Sequence, residues 1–344
     1  MASSVARRRG VSDRAATRLK PSHVVIGALL LLLAVAVPPF FGSYHHYLAS
    51  LALINVIMAV GLNILTGNAG QISLCNSSFM AIGAYATTYL ASKLGLSYWF
   101  ALPLAGLISA LCGFLLGFPA LRLRGFYLAV VTLGFLEISQ ILIEQLPSIT
   151  GGVRGISSPR PALFGYPLSS DLSFYYVILA ITLVTLWCAY SLLRSPTGRA
   201  FEAIRSSEAA AQTLAVPLAQ TKLAAFVISA FFAGIGGGLF ASLVRFIDPL
   251  EFGVWTSVRH VIFIVVGGLG SITGSVIGAV ALTVLPELLR AFKEYQEFVF
   301  GGLLLLVLML LPHGIVSLGP AIRMRLTRRN PPADAVVAER RAAE

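Results

Sequence analysis

Apolar runs long enough to cross a bilayer recur along nearly the whole chain, and dense positive charge is confined to the segments on one side of them. A hydrocarbon core about 30 Å thick takes roughly 20 helical residues, and lipid offers no partners to unpaired backbone groups. A chain of this kind folds as a bundle of membrane-crossing helices. Of its 344 residues 57% are hydrophobic and only 11% charged, too little charge to cover a soluble domain of this size. A net charge of +11 would suit nucleic acid binding in a soluble protein. Here the basic residues sit in tails and short loops beside apolar spans, so no nucleic acid partner is expected.

The expected fold class is all-α, a polytopic helical membrane protein with about ten membrane segments. They fall at 24–41, 48–65, 79–94, 99–118, 126–146, 174–193, 223–247, 258–269, 276–289 and 298–316. The third, eighth and ninth are short, which fits broken or re-entrant pieces as well as full crossings. With the N-terminus inside, alternating the loops leaves 18 of the 25 Lys and Arg on the cytoplasmic side. Both ends are then cytoplasmic: a basic tail at 1–22, the membrane domain at 23–318 and a second tail at 319–344. Ala34-Val35-Ala36 after an Arg-rich start and a leucine run has the look of a cleavable leader. The apolar stretch continues through Pro38 to Phe41, so the first segment is taken as a span.

Two regions interrupt the hydrophobic pattern. The first runs from Thr66 to Ser78, uncharged but polar, with Gly67, Gly70, Gln71, Ser73, Asn76 and Ser77, and leads into a stretch containing Gly83 and Tyr85. The second is Gly267-Gly268-Leu269-Gly270-Ser271-Ile272-Thr273-Gly274-Ser275. Non-helical backbone at membrane depth is tolerated where protein buries it or where it lines a watery cavity. Paired interruptions in the two halves of a transporter point to the transport path. Packing is the competing explanation: Gly270, Gly274 and Gly278 form small-xxx-small steps, and for the second break that explanation is preferred. For the first, a pore-side turn and a plain cytoplasmic connection stay open. The candidate path residues are Asn63, Gly67, Gly70, Gln71, Ser73, Asn76, Ser77, Gly83, Tyr85, Glu137, Gly268 and Gly270.

Glu137 is the one carboxylate well inside a span. Such acids serve as proton relays or ion ligands, or as hydrogen-bonded structural groups at helix interfaces, and the last is preferred for an isolated one. Cys75, Cys112 and Cys188 lack CxxC spacing, and the adjacent His45 and His46 do not share a helical face. Neither a disulfide framework nor a metal site is expected. No phosphate loop GxxxxGK[ST] is present, and no Ser/His/Asp, Cys/His or paired-carboxylate set converges, so the chain is read as neither an ATPase nor another enzyme.

The longest inside loop runs from Arg194 to Pro217. Helix formers extend from Arg199 to Leu214, with Arg199, Glu202, Arg205 and Glu208 spaced three apart so that they can pair along one ridge. Phe201, Ile204, Ala211 and Leu214 form a modest apolar face. A short amphipathic helix of this kind is either an interfacial spacer on membrane lipid or a docking element for a soluble partner.

Five stretches, in order, resemble the bacterial branched-chain amino acid permeases of ATP-binding-cassette importers, the LivM branch. They are Gly61-Leu62-Asn63 through Gly83-Ala84-Tyr85; Leu121 to Tyr127 with Glu137; Thr150-Gly151-Gly152 with Gly155-Ile156; Gly198-Arg199 to Glu208-Ala209-Ala210 with Lys222; and Gly267 to Ser271 with Leu285-Pro286-Glu287. The resemblance spans about residues 25–318. It implies a permease subunit in the bacterial inner membrane, working with a paralogous permease, cytoplasmic ATPases and a periplasmic substrate-binding protein. It also implies that 198–217 is the coupling helix, with Gly198, Arg199, Glu202, Arg205, Glu208, Ala209 and Ala210 toward the ATPase. No cofactor is implied for this chain, since the partner consumes the ATP. Relatives usually carry Gly-His or Gly-Asn at Cys75-Asn76, and a glycine near Leu214-Ala215. Rival readings are a proton-coupled carrier using Glu137, a permease for another small solute such as an amide or urea, and a non-transporting scaffold.

Overall fold

The computed structural model describes residues 34–289, apart from 37, 122, 124, 164, 165, 168 and 169, together with 301, 302, 305, 309, 314 and 315. The expected tails 1–22 and 319–344, and most of the first and last expected spans, lie outside the described residues.

Every other expected span is a helix. In chain order they are α1 (Ser43–Leu62, continued by a wider π turn, Asn63–Asn68), α2 (Asn76–Ser92), α3 (Tyr98–Ala120), α4 (Phe126–Gln145) and α5 (Asp171–Arg194). The long loop forms α6 (Pro196–Ser206) and α7 (Glu208–Thr213), followed by α8 (Leu218–Val244), α9 (Val254–Gly267) and α10 (Ile272–Leu288). Five are long and apolar enough to cross a membrane: α1 with its π turn, α3, α4, α5 and α8. The chain is a polytopic helical membrane protein.

α8 occupies the middle, packed on α1, α2 and α3, while α1 also touches α5 and α10. Lipid tails are as apolar as leucine, so helices in a membrane associate by close packing of small residues. A Cβ on Gly83 would stand 2.1 Å from the Gly234 carbonyl, and one on Gly237 would stand 1.9 Å from that of Met80. The α2–α8 crossing therefore exists only because both helices are bare there. Gly83, expected beside the transport path, is found at this crossing. The α9–α10 contact is built alike, with Gly278 against Phe263 and Gly274 against Gly267. So the small-residue steps after the second break do pack helices, whereas Gly270 serves the turn itself.

The loops gather at two ends of the bundle. The first break, the α6–α7 pair and the second break meet at one end of the bundle. At the other end, Ile156–Ser157 pairs antiparallel with Phe246–Ile247, and Arg160 pairs with Asp171. Here Pro249–Phe252 folds inward, bringing the Phe252 ring 6.0 Å from that of Tyr85 and Gly253 beside Gln140. Tyr85 and Gln140 are well inside their helices, so α9 starts below the end of the bundle. That explains how 14 residues, about 21 Å of helix, reach the far loops. On this dipping loop Glu251 has its carboxyl raised above the ordinary range by partial desolvation and by nearby Asp248, with Arg259 opposing.

Candidate functional site: a junction of two helix breaks under a loop helix

Asn63 opens the π turn, a helical irregularity common at functional sites. Its side chain folds back over Gly67, where a Cβ would overlap Asn63 Oδ1 at 1.8 Å. From there Oδ1 accepts from the Gly270 N–H (2.9 Å) and Nδ2 donates to the Ser271 carbonyl (3.1 Å). Asn68 Nδ2 donates to the Gly270 carbonyl at 3.3 Å. The two breaks, more than 200 residues apart, are thus one hydrogen-bonded junction. Gly70 (φ +71°) and Gly270 (φ +83°) are both left-handed, a conformation side chains resist.

The rest of the first break is tied down locally. Gln71 donates to Ala69 and accepts at its carbonyl from Thr66, Ser73 Oγ lies 3.3 Å from Cys75 Sγ, and the Leu74 N–H donates to Thr132 Oγ1. At the start of α2, Asn76 Nδ2 meets His260 Nδ1 at 3.1 Å, and Ser77 Oγ meets Ser257 Oγ at 2.7 Å. All four are buried. Ser257 and His260 went unnoticed in the sequence, although two polar residues at i and i+3 on an apolar helix were a usable signal. Gly268 ends α9. Of the expected path residues, Asn63, Gly67, Gly70 and Gly270 come together, while Asn76 and Ser77 join α9 separately.

Glu137 stands apart from all of these. It is exposed on the outer side of α4, in line with Gly134, Ile138 and Ile141, and meets no helix interface among the described residues. Phe126, Tyr127, Val130, Ile138, Ile141 and Leu142 are all exposed, so this helix, like α5, has a largely bare side.

The single helix expected over 199–214 is two helices. Ser207 is extended (φ −166°), and its hydroxyl accepts from the Ala210 N–H, an N-cap that starts α7. The break turns Glu208 away from the Arg199–Glu202–Arg205 ridge, and the expected pairing along that ridge does not form. Glu208 pairs instead with Lys222 at 2.6 Å, a buried lysine in the first turns of α8. Gly198 allows the sharp entry into α6, since a Cβ there would lie 2.3 Å from the Leu193 carbonyl. Phe201, Ile204 and Ala211 are buried beneath the pair, but Leu214 is 74% exposed. Arg199, Glu202, Ala209 and Ala210 line the same open side. Arg205 is exposed as well, but its side chain starts beside Gly70 and its guanidinium reaches over Gly270.

α7 ends in paired bonds, Val216 N–H to Ala211 O and Ala215 N–H to Gln212 O, which place Ala215 left-handed at φ +57°. Glycine normally holds that place. Ala215→Gly is therefore expected to stabilise the α7 end by about 1 kcal/mol, read as a higher thermal midpoint of the purified protein. An unchanged or lower midpoint would refute the assignment.

Fold and junction define a polytopic helical membrane protein in which a loop-borne helix pair bears on breaks in two of its spans. The family described as branched-chain amino acid transport system / permease component matches residues 44–308, and the chain belongs to it. It is accordingly a permease component of the bacterial inner membrane, in a family of transporters and not of enzymes. It is 41% identical over 313 residues, 84% of this chain and 74% of the relative, to the high-affinity branched-chain amino acid transport system permease protein LivM of Salmonella typhimurium. To LivM of Escherichia coli it is 40% identical over 325 residues, covering 88% and 76%. To the permease protein LivH of Salmonella typhimurium it is 25% identical over 284 residues, covering 76% and 90%. No solved structure matches the chain.

Proposed function

We propose that this chain is one of two permease subunits of an ATP-driven importer for branched-chain amino acids, moved by a separate ATPase that grips α6 and α7. The observation carrying this reading is the two-sided helix pair. Its inner side rests on the junction of the two breaks, and its outer side, with Arg199, Glu202, Ala209, Ala210 and Leu214, is open. No cofactor belongs to this chain, and a periplasmic binding protein supplies the solute. The ten-segment topology with cytoplasmic ends is part of the same reading, supported by the clustering of the two breaks and the α6–α7 loop at one end of the bundle.

The open side of α4 is where a second permease fits. An acid facing lipid at the depth of Glu137 is costly, and a neighbouring subunit with a watery path between the two relieves that cost. The nearby dip of Pro249–Phe252 gives such a path an outer entrance. LivM and LivH, both named as permease proteins of one kind of system, support an unlike pair.

Arg199→Glu combined with Leu214→Asp changes only the open side. This variant is expected to insert normally but lose co-purification with the ATPase. Full retention of the complex would defeat the docking assignment. A proton-driven carrier would instead show uptake from a pH gradient without ATP, abolished by Glu137→Gln.

A further inference from the structure

We infer that Arg205 is a positioning residue of coupled transport, the side chain through which movement of α6 reaches the junction of the two breaks. The inference rests on the reading that α6 and α7 carry the ATPase, and goes beyond it by naming the side chain, exposed at the edge of the pair, that lies against the junction.

Three observations meet at this residue. A Cβ on Gly70 would lie 3.3 to 3.5 Å from Arg205 Cα, Cβ and Cγ, so the base of the side chain lies beside that glycine. A Cβ on Gly270 would lie 2.4 Å from Arg205 Nη1, so the head lies over the second glycine. Gly270 is the residue that Asn63 and Asn68 hold from the first break, through its N–H and its carbonyl. One α6 side chain thus touches both breaks at the two places where the backbone is left-handed and bare.

A bulkier residue at 70 or 270 would displace the arginine as well as strain the turn. Arginine suits the place because its long stem is apolar and its planar head spreads contact over a wide surface. A cation in the last turn of a helix also interacts with the helix dipole, and a purely local role of that kind would account for its presence. The local role predicts a change in stability alone. The mechanical role predicts that ATP is consumed without matching movement of solute, because α6 shifts and the junction does not follow.

The test uses the complete importer, with both permeases, the ATPases and the binding protein, reconstituted in liposomes. The readouts are ATP hydrolysed per leucine accumulated, ATPase retained on purification, and the thermal midpoint. Arg205→Ala is expected to keep the ATPase in the complex while leucine uptake per ATP falls about tenfold. Arg205→Lys, with a comparable stem and a charged head, is expected to stay within about threefold of the parent. A parental ATP-to-leucine ratio in Arg205→Ala overturns the inference, as does a lowered midpoint with an unchanged ratio. Loss of the ATPase from Arg205→Ala would make Arg205 an outward docking residue and also overturn it. The Arg199→Glu, Leu214→Asp variant separates the two failures: if it keeps its ATPase, the underlying docking reading has fallen, and the inference with it.

Discussion

Replacing Gly83 by leucine is expected to remove the folded protein from the membrane, not to block a path through it. The added Cβ would stand 2.1 Å from the Gly234 carbonyl and 2.4 Å from its Cα, both backbone atoms that cannot swing aside. Relief requires α2 and α8 to separate, and α8 is the helix on which α1, α2 and α3 all pack. Clashes of this kind belong to the severe tail of substitutions, above about 4 kcal/mol. Expression in membranes and the thermal midpoint of whatever survives would measure it. A Gly83→Leu protein that purifies with the parental midpoint, yet fails to transport, would return this position to the transport path.

Lys222→Met is the second large effect. The lysine side chain is 4% exposed and its ammonium sits 2.6 Å from Glu208, whose side chain is 19% exposed. Removing one partner of a buried pair leaves the other charged and poorly solvated, at a cost of about 3–5 kcal/mol. The loss is local, because this pair is what fastens α7 to the start of α8. Faster proteolysis within 206–217 should precede any loss of the membrane helices. Adding Glu208→Gln removes the stranded charge, and most of the lost stability should return. If the double variant is no better than the single one, the pair is not what holds α7.

These two effects show how far the sequence could be read. Five spans were legible as apolar runs of 18–25 residues with little charge, three more as shorter apolar runs, and the distribution of Lys and Arg assigned the loops to two sides. Both breaks were visible as glycine-rich polar interruptions, and the loop helix as an amphipathic stretch. The partners of these pieces were not visible. Asn63 is a polar residue at the end of a span, and nothing in its neighbourhood indicates Gly270 and Ser271. Glu208 had a nearer candidate in Arg205, three residues away on an assumed continuous helix. The serine cap at Ser207 broke that helix and gave the glutamate to Lys222. Glu137 reads as a hydrogen-bonded acid at a helix interface, but a helix apolar all round does not reveal which of its sides the bundle covers. Gly83 was placed by its closeness to the polar break, while its actual contact is on a helix 150 residues further on.

By itself the sequence determined that this protein lies in a membrane, where its apolar helices run and where glycine-rich breaks interrupt them, because those properties depend on local composition and on the cost of unpaired backbone in lipid. Only the tertiary structure decided that the two breaks join through Asn63, that Arg205 lies across both, and that α4 turns its acid outward. Those are contacts between distant segments, selected by the shape of the packed bundle, and no local pattern encodes them.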